Sequence, residues 1–118
     1  YAQTLTNSQN CGELFHSERE DRNGWGENLF LCGSTDTTKD CYSAGYAMNG
    51  FYDKEVTDGP VTTYLGHATQ ILWKDTQEVG CAVESCEKIE QSHTWRYSVL
   101  VCNYNPTGNY LGQYEEQI

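Results

Sequence analysis

The stretch Gly66-His67-Ala68-Thr69-Gln70-Ile71-Leu72-Trp73 carries the reading of the fold. His67, Thr69, Ile71 and Trp73 fall on alternate positions, so the run reads as a β-strand with those side chains on one face. Downstream, Val79, Cys81 and Val83 alternate, as do Val99, Val101 and Asn103, and both runs read as strands. Val101-Cys102-Asn103-Tyr104-Asn105-Pro106-Thr107-Gly108-Asn109 then joins a strand-borne cysteine to a turn rich in Asn, Pro and Gly. Upstream, residues 42–56 change to helical spacing, with Ala44, Ala47, Met48, Phe51 and then Val56 or Glu55 on one side. Asp40 or Ser43 is the expected cap, and Asp58-Gly59-Pro60 the expected stop. Residues 26–31 read as a short strand, and the charged 16–25 segment with its Asn23-Gly24 pair as a loop. Tyr1-Ala2-Gln3-Thr4-Leu5 reads as the end of a helix. Helices followed by strands give an α+β class, an antiparallel sheet covered by helices.

A chain of 118 residues has room for one domain, near the size where a core benefits from covalent staples. Six cysteines without a CxxC pair read as three disulfides, and hence as an extracellular or luminal chain. Their spacing lacks the paired knuckles of a structural zinc site. Seventeen Asp and Glu against seven Lys and Arg leave a formal charge of −10, which argues against nucleic acid as a partner and against anionic lipid headgroups. No apolar run reaches membrane-spanning length. The sequence shows no signal peptide, as expected of a mature product, and Asn105-Pro106-Thr107 is excluded as a glycosylation sequon by its proline.

Three separated motifs now acquire a common meaning: Gly26-Glu27-Asn28-Leu29-Phe30, Gly66-His67-Ala68-Thr69-Gln70, and the 101–109 turn. Together they resemble the signatures of the CAP superfamily, the group of cysteine-rich secretory, antigen-five and plant pathogenesis-related proteins. The resemblance runs from Tyr1 to Asn109. It implies an α-β-α sandwich with a central antiparallel sheet, stapled by disulfides, as a single domain over residues 1–118. It also implies a long helix upstream of Tyr1, so the domain is expected to be N-terminally incomplete. Six cysteines allow fifteen connectivities. The expected strand neighbours Cys81 and Cys102, and the loop between Cys32 and Cys41, suggest local bridges; the resemblance implies Cys11–Cys86, Cys32–Cys41 and Cys81–Cys102.

The same resemblance implies a cleft in which His16 and His67 meet two glutamates. Neutral imidazoles there would bind zinc or another divalent cation, although no cofactor is required. Glu27 matches one glutamate and would orient a ring or hold a water. The other falls in Phe51-Tyr52-Asp53-Lys54-Glu55. Counting from Phe51 places Lys54 in the cleft; counting from Tyr52 places Glu55 there. On a helix the two directions differ by about 100°. Asn28, Thr69 and Gln70 are expected to support the cleft by hydrogen bonding, and Trp73 to serve the core. His93 matches no motif.

For function, the resemblance implies an extracellular module that carries a sterol or fatty acid and acts in defence, venom or host–pathogen contact. The 33–40 loop has no aromatic residue, which weakens the sterol version. A hydrolase using Glu27 or Glu55 beside a metal-bound water is the second reading, opposed by the absence of an HExxH or nucleophile-elbow motif. Ser17 beside His16 has no third partner in the sequence. The remaining reading is a receptor-binding effector or allergen that carries no ligand.

Overall fold

The computed structural model describes residues 1–58 and 66–118. In chain order it comprises α1 (Ala2–Leu5), β1 (Gly26–Ser34), α2 (Ala44–Met48), a π-helical turn (Asn49–Asp53), α3 (Lys54–Asp58), α4 (His67–Leu72), β2 (Glu78–Glu90), β3 (His93–Asn105) and α5 (Tyr114–Gln117). The three strands form one antiparallel sheet in the order β1-β3-β2. Gln91 and Ser92 turn the β2–β3 hairpin at positive φ, the backbone twist that a two-residue hairpin loop requires.

Strand alternation divides the core into two layers. Leu29, Val99 and Val101 project to one face, where Ala2 and Leu5 of α1 cover them and Leu31 packs alongside. Phe30, Leu100, Cys102 and Tyr104 project to the other, under Ala47 and Phe51 of the helical segment and Ile71 of α4. The result is the α-β-α sandwich. Its bridges are Cys11–Cys86, Cys32–Cys41 and Cys81–Cys102. The first clips the segment after α1 to β2, and the third joins facing residues of β2 and β3.

The expectation of a strand at 66–73 is overturned, because His67–Leu72 is a helix. Ala68, Thr69 and Gln70 are consecutive and all buried, which a strand with one solvated face would not allow. A six-residue run cannot distinguish the two periods by itself, and here tertiary contacts decide. The Glu55 carboxylate accepts the Ala68 N–H at 2.8 Å, supplying from another element an acceptor for the first turn. The third strand is β1 instead. The helical expectation at 42–56 agrees with the contiguous run from Ala44 to Asp58, and Ser43 is its cap, accepting the Tyr46 N–H at 3.1 Å. Gly59 and Pro60, the expected stop, lie outside the described residues. His93, which matches no motif, opens β3.

Candidate functional site

Glu27 is the most heavily coordinated side chain of the site. Its carboxylate accepts from His16 Nδ1 at 2.8 Å, the Ser17 N–H at 3.0 Å, Ser17 Oγ at 2.7 Å and Asn103 Nδ2 at 3.1 Å. Arg22 Nη1 stands 3.7 Å away, and the carboxylate-bearing side chain is 1% exposed. Burial pushes the Glu27 carboxyl up, but the hydrogen bonds from Ser17, His16 and Asn103 outweigh it and hold the group below the usual carboxylate range. An anion so fully satisfied has little basicity to offer. Ser17 Oγ gives its proton to Glu27 and not to His16, so no serine–histidine relay forms.

The second pair lies on the helices. His67 Nδ1 meets Glu55 Oε2 at 2.5 Å, and the imidazole stacks on Phe51 with centroids 4.9 Å apart. Lys54 is exposed. Phe51 is the buried anchor, and Glu55, four residues on, shares its side of the helical run and meets His67. A π-helical turn occupies Asn49–Asp53. Nothing in the composition of Asn49-Gly50-Phe51-Tyr52-Asp53 announces that turn.

The supporting residues fall into place around α4. Asn28, 2% exposed, donates to Tyr104 Oη at 2.9 Å and to the His67 carbonyl at 3.4 Å. Thr69 Oγ1 donates to Asn109 Oδ1 at 2.6 Å, while Asn109 Nδ2 donates to the Gly66 carbonyl at 2.9 Å. Gln70 Oε1 accepts the Gly108 N–H at 2.8 Å. Gly26 and Gly108 both lie against Gln70, where an added Cβ would fall 2.1 and 2.8 Å from its amide. Trp73 is buried and packs edge-on against Tyr114. Asn103 and Asn109 are the members that residue-by-residue reading did not single out, although both belong to the 101–109 motif.

Each imidazole presents Nδ1 to its own carboxylate, a contact that in a neutral ring selects the Nδ1–H tautomer. Glu27 and Asn28 are consecutive on β1 and point to opposite faces: Glu27 lies with Asn103 on the α1 face, Asn28 with Tyr104 and α4 on the other. Among the described residues no three His, Cys, Asp or Glu side chains group closely enough to hold a metal ion. The donor set therefore does not fit a preformed zinc site.

What the helical face does build is a groove of about 350 Å³ between the helical segment and the sheet. Ala44, Ala47, Met48 and Phe51 form one wall, Ile71 an end, and Val79, Leu100, Tyr104 and the Cys81–Cys102 bridge the floor. Its volume lies within the ordinary range of small-ligand sites. Burial pushes the Tyr104 hydroxyl up, with the Asn28 bond opposing, so it stays neutral at the groove's inner end.

Comparison with known proteins by sequence supplies the family. The chain belongs to the CAP family, the cysteine-rich secretory protein family, which it matches over residues 1–104. It is 32% identical over 124 residues to Protein PRY2 of Saccharomyces cerevisiae, covering 100% of this chain and 32% of that protein. It is 35% identical over 126 residues to cysteine-rich secretory protein 3 of Equus caballus, covering 95% of this chain and 47% of the relative. Venom allergen 5 of Polybia scutellaris rioplatensis is 50% identical over 50 residues, 42% of this chain and 22% of the allergen. The chain thus spans at most about half the length of these relatives. No helix among the described residues is long and apolar enough to cross a membrane.

Proposed function

We propose that this chain is a secreted binding module that holds a lipid acyl chain in the groove between α2 and the sheet, in a setting of defence, venom or host–pathogen contact, of which venom is the one a relative's name carries. The observation that carries this is the groove itself, which is nearly all apolar and open to solvent at one side. Of its lining residues Met48 is 48% and Val79 59% exposed, and methionine adapts its shape to varied apolar partners. Burying a methylene of a bound chain is worth about 0.8 kcal/mol, so a chain long enough to fill the groove gains affinity without a charged anchor. A fatty acid suits this better than a sterol, because the 33–40 loop offers no aromatic residue to grip a ring system. Three disulfides fit an oxidising, extracellular setting.

A divalent cation enters this reading only through single imidazoles, with Nε2 of His16 and Nε2 of His67 as separate ligands. Hydrolysis is disfavoured by the same geometry, since Glu27 and Glu55 both spend their oxygens on structural hydrogen bonds. A fluorescent fatty acid titrated into delipidated protein tests the proposal. Saturable binding that unlabelled fatty acid displaces is expected; the absence of saturable uptake by the folded protein would remove the carrier reading and favour a protein receptor as partner.

A further inference from the structure

β2 is an edge strand, because the sheet order is β1-β3-β2, and most of its thirteen residues are exposed. Cys81 and Cys102 face each other with Cα atoms 4.2 Å apart, the separation of a non-hydrogen-bonded antiparallel pair. Gly80, Ala82 and Glu84 therefore bond to β3. The backbone N–H and C=O groups of Val79, Cys81, Val83, Ser85, Glu87 and Ile89 point away from the sheet. No described residue hydrogen-bonds to them. Such a row is a template for one more strand.

The side chains along this edge say what kind of strand it fits. Glu78, Glu84 and Glu90 recur every sixth residue on the α1 face. On the opposite face Val83 and Ile89 are 40% and 75% exposed. At the Glu78 end a cavity of about 310 Å³ opens, lined by Trp25, Glu78, Val79, Gly80, Asn103 and Asn105. Gly80 leaves open space above it. Asn105 Nδ2 donates to Glu78 Oε1 at 3.4 Å, and Oε2 of that carboxylate has no partner among the described residues. An indole ring beside an available carboxylate suits a guanidinium or ammonium group.

We propose that the free edge of β2 binds an extended basic peptide, which adds as a fourth strand and places an arginine or lysine side chain in the Trp25–Glu78 cavity. Residues facing the glutamates would be basic and their alternates apolar. A second copy of this chain is the less favoured occupant. Each copy carries a charge of −10, and pairing centred on Glu84 sets Glu84 against Glu84 and Glu78 against Glu90, a destabilising arrangement of like charges.

The test uses a synthetic peptide alternating arginine and valine, N-methylated on its outer edge so that it cannot pair with itself, with binding read by fluorescence anisotropy. The expected result is saturable binding that N-methylation of the inner edge weakens by at least about tenfold, since several backbone hydrogen bonds are lost while every charge is kept. A glutamate–valine peptide should not bind. Glu78→Gln and Trp25→Leu, each checked for native circular dichroism, should both weaken the arginine–valine peptide several-fold. Equal affinity for the inner-edge-methylated peptide would show charge adhesion alone and overturn strand addition. Unchanged affinity in both variants would overturn the cavity assignment. A dimer in sedimentation that the peptide fails to dissociate would give the edge to a second copy.

Discussion

Replacing Glu27 removes the acceptor on which the loop at 16–17 and the end of β3 converge. The magnitude follows from its partners. The His16 contact contributes little, because that imidazole is 61% exposed and exposed ion pairs are worth under about 1 kcal/mol. The bonds from the Ser17 N–H, Ser17 Oγ and Asn103 Nδ2 are different. They end on a carboxylate with a 1% exposed side chain, and hydrogen bonds to charged acceptors net about 1.5–3 kcal/mol each, less than additively. Glu27→Ala is therefore expected to cost about 3–5 kcal/mol, the range for breaking a buried charged network. Glu27→Gln keeps the volume and one acceptor oxygen, so it should lose about half as much. Urea unfolding with disulfides intact measures both. A pH series adds a sign. The folded-state pKa of Glu27 lies below its unfolded value, so its contribution is complete above the ordinary carboxylate range and disappears as pH falls through the lowered value. The gap between wild type and Glu27→Gln should narrow in acid. A Glu27→Ala protein within about 1 kcal/mol of wild type, inside the ordinary scatter of single substitutions, would refute this account of the site.

Other expectations concern the staples, the helix and the metal. The Cys11–Cys86 bridge spans 75 residues and Cys32–Cys41 spans 9; loop-closure entropy then predicts losses of about 4.5 and about 2.6 kcal/mol on conversion of each pair to serine. Unfolding midpoints in the reverse order would contradict that ranking. Glu55→Gln should cost about 1–2 kcal/mol through the Ala68 and His67 contacts, whereas Lys54→Ala should stay within about 0.5 kcal/mol. The opposite ranking in urea would mean that Lys54 holds α4. Zinc titrated calorimetrically should show no tight saturable site. Tight binding abolished by His16→Ala with His67→Ala would show that the two imidazoles do converge on one ion.

The layered architecture was legible because its carriers are periodic. Val79 to Val83 and Val99 to Asn103 alternate over enough residues to define strands, and Ala44 to Phe51 repeats at helical spacing. The errors lie where contacts distant in sequence override local pattern. His67–Leu72 alternates like a strand but is helical, with Glu55 meeting its first turn and Asn109 holding its start. α5 is only four residues long, too short for any periodicity. It is fastened to the chain by bonds between Gln117 and the Lys74–Asp75 backbone and by the Asp75 side chain. At the candidate site, Glu27, His16, Glu55 and His67 were identifiable as residue types in motifs. Their sorting into two pairs was not, because it depends on contacts between residues distant in sequence, His16 with Glu27 and His67 with Glu55.

The claim that the helical groove holds an acyl chain is tested most directly by Ala44→Trp. Ala44 is exposed at the mouth, so an indole there fills the groove without disturbing the core beneath. Fatty-acid titrations should show saturable binding to wild type and at least about tenfold weaker binding to Ala44→Trp, a loss of roughly two buried methylenes or more, at unchanged unfolding midpoint. Equal affinity in the two folded proteins would place the ligand elsewhere and contradict the groove as the binding site.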